Sequence, residues 1–236
     1  FFTQFVFYVV PWIQWGDRQM VLFDIGARSF YLFGMVLYPQ DVIYLAALLI
    51  ICALALFLFT AVAWRLWCGF SCPQTVYTEI FMWIEQKVEG DRSARIRLDN
   101  SNWTFEKIWK KSFKQFLWIA VSLWTGFTFV GFFVPIRDLG LEIVQLQGDW
   151  QIFWVLFYGF ATYGNAGYLR EQVCKYMCPY ARFQSAMLDR DSLIVSYDPA
   201  RGEQRGPRRK GVDYKSQGLG DCIDCKLCVQ VCPVGI

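Results

Sequence analysis

The fold class is indicated by an uncharged stretch of 23 residues, Val42-Ile-Tyr-Leu-Ala-Ala-Leu-Leu-Ile-Ile-Cys-Ala-Leu-Ala-Leu-Phe-Leu-Phe-Thr-Ala-Val-Ala-Trp64. A helix needs roughly 20 apolar residues to cross a hydrocarbon core about 30 Å thick, so this stretch is long enough to span a bilayer. Residues 116–136 and 150–169 form two further uncharged stretches, of 21 and 20 residues. One such stretch also fits a buried core helix of a soluble protein, but three of them favour a membrane protein.

The first residues of the chain predict one more span. Residues 1–16 are uncharged and have neither a basic beginning nor a small-residue cleavage site, so they do not resemble a signal peptide. We expect an all-α membrane protein with four transmembrane helices, at about residues 1–16, 42–64, 116–136 and 150–169, within a membrane domain of residues 1–190. Residues 29–40 are apolar but too short to cross a bilayer, and they predict an interfacial or re-entrant segment.

The charged residues are distributed unequally between the loops. Residues 85–114 hold eight Lys and Arg against five acids, residues 170–215 hold ten against six, and residues 137–149 hold one Arg against three acids. The positive-inside rule then places the first two segments in the cytoplasm and the third outside. The basic run 208–210 does not predict a nucleic-acid partner, because beside a membrane such a run more often contacts anionic lipids or sets topology.

The chain contains nine cysteines and no histidine. Paired-histidine haem ligation and histidine-based zinc or copper sites are therefore excluded, and any metal must be held mainly by sulfur or carboxylate. Eight of the cysteines fall on the side predicted to be cytoplasmic, where thiols stay reduced, so a disulfide framework is not expected.

The last residues carry the strongest motif, Cys222-Ile-Asp-Cys225-Lys-Leu-Cys228-Val-Gln-Val-Cys232-Pro233. This is the C-x-x-C-x-x-C-x-x-x-C-P run of bacterial ferredoxins, in which the fourth cysteine binds the other cluster of a two-cluster protein. The spacing assigns Cys222, Cys225 and Cys228 to one 4Fe–4S cluster and Cys232 to a second. Zinc is the alternative occupant. A small ferredoxin-like module is thus expected to begin at residue 221, after a cytoplasmic linker of residues 191–220.

A second cysteine pattern occurs twice, at the ends of two predicted spans. The copies are Trp67-Cys68-Gly-Phe-Ser-Cys72-Pro73 and Val173-Cys174-Lys-Tyr-Met-Cys178-Pro179. Both spans run from outside to inside, so both C-x-x-x-C-P motifs emerge at one membrane face. Proline favours the first position of a helix, and soft thiolates favour Cu(I), zinc or iron–sulfur. The alternative is that these cysteines are small buried core residues. Two matched pairs favour a metal or redox role.

The sequence as a whole resembles the CcoG/FixG/RdxA family of cytochrome c oxidase accessory proteins of bacterial inner membranes. The segments that carry the resemblance are Glu89-Gly-Asp-Arg92, Ser122-Leu-Trp-Thr-Gly-Phe-Thr-Phe-Val-Gly131, Tyr158-Gly-Phe-Ala-Thr-Tyr-Gly-Asn-Ala-Gly167, the two C-x-x-x-C-P motifs with their flanks at 67–79 and 171–185, and the ferredoxin run.

The resemblance implies a multi-pass inner-membrane cupric reductase, an oxidoreductase that acts on metal ions. It would convert Cu(II) to Cu(I) for assembly of cbb3-type cytochrome c oxidase, with copper as substrate, two 4Fe–4S clusters in the full-length protein and a cytoplasmic electron donor. Its partners would be oxidase subunits and copper-delivery proteins. The residues implied to be catalytic, and to be candidate copper ligands, are Cys68, Cys72, Cys174 and Cys178.

Two other functions remain open from the sequence. One is a quinol-linked membrane electron relay of the NapH/NosR kind, which is similar in its spans, cysteine pairs and clusters. The other is a non-enzymatic assembly factor that binds copper or partner subunits.

The topology predicts a labelling pattern in intact cells. A cysteine introduced as Gln147→Cys, in the loop expected outside, should react with a membrane-impermeant thiol reagent. Lys215→Cys should react only after the membrane is opened, because its segment is expected to be cytoplasmic. The unsubstituted protein gives the background, and labelling of Lys215→Cys in intact cells would overturn the topology.

The ferredoxin run predicts the result of a single substitution. Cys225→Ser should remove one 4Fe–4S cluster from the full-length protein, because no neighbouring side chain in the run can replace the lost thiolate. Iron content should fall, and one cluster signal should disappear from the electron paramagnetic resonance spectrum of the reduced protein, while the spans stay inserted. An unchanged iron content and spectrum would contradict the ligand assignment.

Overall fold

The computed structural model describes residues 2–62, 66–145, 147–184, 186, 197–207, 213, 215–225 and 228. Helices dominate this part of the chain. Their bounds are α1 (Phe2–Val9), α2 (Val42–Val62), α3 (Leu66–Phe70), α4 (Pro73–Glu89), α5 (Arg92–Asn100), α6 (Phe105–Val130), α7 (Ile136–Gln145), α8 (Asp149–Thr162), α9 (Arg170–Gln172), α10 (Pro179–Gln184) and α11 (Pro199–Gly202). Two π-helical segments, Tyr163–Leu169 and Val173–Met177, flank α9.

Five strands lie between α1 and α2, so the all-α prediction is wrong for this part of the chain. They are β1 (Gln14–Trp15), β2 (Arg18–Gln19), β3 (Val21–Asp24), β4 (Ser29–Leu32) and β5 (Met35–Leu37). The first two pair with each other, and the last three form an antiparallel sheet in the order β3-β4-β5. The segment predicted to be interfacial, residues 29–40, therefore supplies two strands and a turn.

Tight turns explain why these residues pair as strands. Gly16, Arg28 and Phe33 take positive φ values of 69°, 53° and 54°, which reverse the chain after β1, β3 and β4. The Asp24 carboxylate accepts a hydrogen bond from the Ala27 N–H at 2.9 Å and closes the turn between β3 and β4. Hydropathy alone predicts a membrane segment here, but short runs with β-branched and aromatic residues between turn residues are strand signals.

The first predicted span is also shorter than expected. Helix α1 ends at Val9, a 3₁₀ turn covers Val10–Trp12, and β1 begins at Gln14. Pro11 has no N–H to continue the helical hydrogen bonds, which accounts for the end of the helix there. The prediction of a helix through residue 16 is therefore wrong.

Two helical segments of the described chain are long and apolar enough to cross a membrane, Pro39–Val62 and Phe105–Val130. Among the residues of α2, all of which the structure describes, only Thr60 is buried. A helix that exposes leucine, isoleucine and phenylalanine on every side leaves a large apolar surface for lipid to cover. This exposure indicates membrane association, whereas the predicted number of four spans is not confirmed.

The two other predicted spans differ in their bounds from the helices observed. Helix α6 ends at Val130, and a turn follows before α7 begins at Ile136, where the third span was predicted to end. The fourth predicted span corresponds to α8 and the π-helical segment Tyr163–Leu169, which continues α8 directly. The change of winding matters for the site, because a π-helical turn reorients the side chains that follow it.

Helix α6 is the centre of the helical packing. On one side, Phe81 of α4 stacks on Trp118 with ring centroids 5.0 Å apart, in a cluster with Ile84 and Ala166. On the other side, a Cβ atom at Gly126 would lie 2.8 Å from the backbone nitrogen of Gly159, so the backbones of α6 and α8 approach this closely only because residue 126 is glycine.

The strands are fixed to the far end of α6. The buried Gln19 side chain donates hydrogen bonds to Val21 O (2.9 Å) and Gly131 O (2.7 Å), and its Oε1 accepts one from Ile136 N (3.1 Å). One carboxamide therefore joins the strands to the turn between α6 and α7.

The glycine contact predicts a stability difference between two similar variants. Gly126→Ala should destabilise the protein by about 1–3 kcal/mol, because the added methyl group would overlap the backbone of α8. Gly140→Ala is the control, since its Cβ would meet nothing closer than Phe127 at 4.0 Å. The measurement is the thermal unfolding midpoint in detergent, and equal midpoints for the two variants would contradict the packing described.

Candidate metal site

The first cysteine pair lies where the chain passes from α3 to α4. Cys68 belongs to α3, and Cys72 directly precedes α4, which begins with Pro73 as the motif predicted. The Cys72 N–H donates to Trp67 O at 3.0 Å, and Cys72 O accepts from Val76 N at 3.1 Å. The motif is therefore a compact turn that directs the following helix back along the bundle.

The second pair has the same arrangement after a sharper break. Arg170 takes φ 14° and ψ −92°, which ends the helical segment that continues α8. Cys174 then lies in the π-helical segment Val173–Met177, and Cys178 directly precedes α10, which begins with Pro179 as predicted. The Cys178 N–H donates to Val173 O at 2.9 Å.

The two pairs meet at one cavity of about 360 Å³. All four thiols are partly buried. The residues that line the cavity are Leu56, Trp67, Cys68, Cys72, Thr75, Cys174, Lys175, Cys178, Tyr180, Ala181, Arg182 and Gln184. The charged members of this lining are Lys175 and Arg182, and both are basic. The cavity is thus a mostly apolar chamber with four soft donors and two positive charges in its wall.

The thiols share the cavity without converging on one point. Among the described residues, no three cysteine or carboxylate groups are close enough together to hold a metal ion as they stand. The set of donors still fits a soft ion, because Cu(I) is bound well by two or three thiolates and the chain has no histidine to compete. Binding would require the thiols to come closer together within the cavity.

The helix that follows each motif contacts the helical segment that precedes the other motif. Gln74, the residue after Pro73, donates to Asn165 O at 2.8 Å and to Arg170 O at 3.3 Å. Tyr180, the residue after Pro179, forms a hydroxyl–hydroxyl hydrogen bond with Thr60, the buried residue of α2. We call each C-x-x-x-C-P motif, with the helical segment before it and the helix after it, a repeat. Each repeat therefore contacts the other through the helix that follows its motif. These contacts were not predicted, although Gln74 and Tyr180 occupy equivalent positions directly after the two prolines.

A cluster of buried ion pairs fixes the start of the second motif. Glu85 of α4, which is 7% exposed, accepts from Arg170 Nη2 at 2.9 Å and lies 3.9 Å from Lys114 Nζ. Glu89 pairs with Lys114 at 2.9 Å. Both Lys114 and Arg170 lie over the Trp118 ring, 5.0 and 5.6 Å from its centroid. Breaking a buried pair of this kind costs about 3–5 kcal/mol, because one charge is left uncompensated.

The same cluster extends toward the loop that carries α5. Lys111 bridges Glu89 at 3.2 Å and Asp99 at 2.8 Å. Its hydrogen bond lowers the pKa of the Asp99 carboxyl below the usual value. Arg95 of α5 donates to Glu85 at 2.9 Å. Ion pairs therefore join the polar ends of α4, α5 and α6 to Arg170, the first residue of α9.

The ferredoxin run begins on an ordered support. Asp221 N donates to Arg201 O at 2.9 Å, and Gly206 N donates to Cys222 O at 3.3 Å. Asp224 takes a positive φ of 51°, which turns the chain between Cys222 and Cys225. A turn at that point suits a loop that wraps a cluster. Cys225 and Cys228 are exposed, and Cys232 lies outside the described residues.

Two family models match parts of the chain. Residues 169–236 match a 4Fe-4S dicluster domain, and residues 45–89 match a 4Fe-4S binding domain. The first match contains the ferredoxin run, so the iron–sulfur interpretation is favoured over zinc. It also contains Cys174 and Cys178, and the second match contains Cys68 and Cys72.

Curated relatives match almost the whole chain. Protein RdxA of Cereibacter sphaeroides is 43% identical over 98% of the chain and 49% of its own length. Nitrogen fixation protein FixG of Rhizobium meliloti is 40% identical over 98% of the chain and 45% of its own length, and protein RdxB of Cereibacter sphaeroides is 41% identical over 98% and 50%. The chain thus spans about half the length of the curated relatives it matches.

No solved structure matches the chain. Each of the three curated relatives is matched over 98% of the chain. An iron–sulfur protein of this kind takes part in electron transfer. The extent of the similarity confirms the resemblance, and the chain belongs to the CcoG/FixG/RdxA family.

Proposed function

We propose that the protein is a membrane-bound cupric reductase, which converts Cu(II) to Cu(I) for assembly of a cbb3-type cytochrome c oxidase. The observation that supports this proposal is the cavity at which Cys68, Cys72, Cys174 and Cys178 meet. A purely structural role would not require two cysteine pairs, 106 residues apart along the chain, to line one chamber.

The chemistry of the cavity suits a copper ion that becomes softer on reduction. Thiolates bind Cu(I) in preference to harder ions, so four of them would favour the reduced product. Cu(I) with two or three thiolates carries net negative charge, which is costly in an apolar chamber. Arg182 in the wall would offset that charge, whereas the Lys175 ammonium is already paired with Glu171 at 3.1 Å.

Electron supply would depend on the ferredoxin run. Cys222, Cys225 and Cys228 would hold a 4Fe–4S cluster, which supplies one electron at a time when bound. One-electron delivery matches the change from Cu(II) to Cu(I). Asp221, Gly206 and their backbone hydrogen bonds would hold the first of these cysteines in place.

We further propose that residues 149–169 form a third span beside α2 and α6 in the bacterial inner membrane, with the ferredoxin run and its electron donor on the cytoplasmic side. The unequal distribution of Lys and Arg supports this orientation. The helical backbone over residues 149–169 supports a further span beside α2 and α6. Oxidase subunits and copper-delivery proteins are the partners we expect.

A quinol-linked electron relay of the NapH/NosR kind is the second candidate. The family match of residues 45–89 favours it, because a 4Fe-4S binding domain would give Cys68 and Cys72 to iron rather than to copper. A second cavity of about 420 Å³ also adjoins the first motif at Ser71 and Pro73, and it is lined by hydroxyl groups and aromatic rings.

The two candidates predict different results for the double variant Cys174→Ser, Cys178→Ser of the full-length protein. If the pairs form the copper site, copper binding and reduction should be abolished while iron content and cluster signals stay at the wild-type level. Cys52→Ser is the control, since Cys52 is exposed on α2 and does not line the cavity. The measurement is copper and iron bound per protein after anaerobic titration.

Each other outcome identifies a different role. Loss of iron together with loss of reduction would favour the relay. Wild-type copper binding with intact clusters would indicate that the four cysteines only pack in the core. In that case the substitution should mainly lower stability, because serine is close to cysteine in size but buries a hydroxyl. A cluster-free variant that binds copper but cannot reduce it would argue against a non-enzymatic assembly factor.

A further inference from the structure

Gln184 connects the end of the second repeat to a cysteine of the first. It is the last residue of α10, is 3% exposed and lines the cavity of the four cysteines. Its Nε2 donates a hydrogen bond to the Cys68 sulfur at 3.5 Å. A buried carboxamide left without partners would cost about 1–3 kcal/mol, so the position of this side chain depends on the groups it meets in the cavity.

Cys68 is held at two points by buried side chains. Thr75, 4% exposed, donates from its hydroxyl to Cys68 O at 2.5 Å, while Gln184 donates to the sulfur. The repeats differ at these positions. When Cys72 is aligned with Cys178, Thr75 corresponds to Ala181, which has no donor, and Gln184 corresponds to Thr78.

Gln184 connects the two repeats, whereas the corresponding residue Thr78 does not. Thr78 donates to Gln74 O at 2.8 Å, within its own helix, whereas Gln184 reaches a cysteine of the other repeat. Groups that hydrogen-bond to a metal ligand orient it, and removing them costs roughly 10–100-fold in metal affinity.

We propose that Gln184 is a positioning residue that directs the Cys68 sulfur into the cavity, so that the two cysteine pairs act as one metal site. The proposal rests on the proposed function for the identity of the metal, but the orientation of Cys68 can be measured without copper. Gln184 itself does not bind the metal.

The first test compares the same substitution at two buried glutamines of the full-length protein. Gln184→Leu should weaken Cu(I) binding roughly 10–100-fold in competition with a chromogenic Cu(I) chelator. Gln19→Leu is the matched control, because Gln19 is 7% exposed but joins the strands to the far end of α6. It should lower the unfolding midpoint and leave Cu(I) affinity unchanged. Gln184→Asn, which keeps the amide but is too short to reach the sulfur, should act like Gln184→Leu if the latter does not fold.

The second test uses copper-free protein and follows alkylation by N-ethylmaleimide, with each cysteine resolved by peptide mass spectrometry. Gln184→Leu should slow alkylation of Cys68, because its sulfur is no longer held toward the cavity, and should leave Cys72 unchanged.

The two readouts separate this proposal from the proposed function. Wild-type Cu(I) affinity together with a wild-type Cys68 rate in Gln184→Leu would overturn the positioning role, whatever Cys68 binds. A slowed Cys68 rate in a protein whose Cys68→Ser variant still binds copper normally would support positioning and would count against the copper site itself.

Discussion

The ion pair between Glu85 and Arg170 is the interaction on which the site depends. It joins the middle of the chain to the residue at which the long helical segment after α8 breaks, and it does so where water is largely excluded. Because Lys114 and Trp118 of α6 share the same cluster, α4, α6 and α9 are fixed at one level of the bundle. The second cysteine motif starts from this fixed point.

Contacts between the two repeats bring both cysteine motifs to one cavity. Gln74 binds the backbone before the second motif, and Tyr180 binds Thr60 before the first, so neither motif can move without the helix that precedes the other. Such an arrangement preorganises a metal site, because the scaffold rather than the ion fixes the ligands' backbone. The four thiols line a cavity that is large enough for an ion to enter.

Local patterns correctly predicted where two helices begin and which metal cluster the last cysteines bind. Helices begin at Pro73 and Pro179 because proline suits the first helical position, and the spacing of the ferredoxin run predicted the iron–sulfur family that the comparison found. Apolarity alone gave wrong predictions of secondary structure between Gln14 and Leu37, where turn residues reverse the chain and the segments between them pair as strands. A short apolar run fits a strand and a membrane segment equally well.

Hydropathy and ligand spacing are properties of single segments, so the long apolar helices α2 and α6, the charge distribution and the chemistry of the cysteines could be predicted without a structure. The shared cavity of Cys68 and Cys72 with Cys174 and Cys178 could not be predicted in this way and is seen only in the folded chain. That meeting depends on which helix faces pack, and those faces are set by contacts between residues far apart in the chain, such as the close approach of Gly126 to Gly159 and the ion pair of Glu85 with Arg170. No periodicity within one segment encodes such contacts.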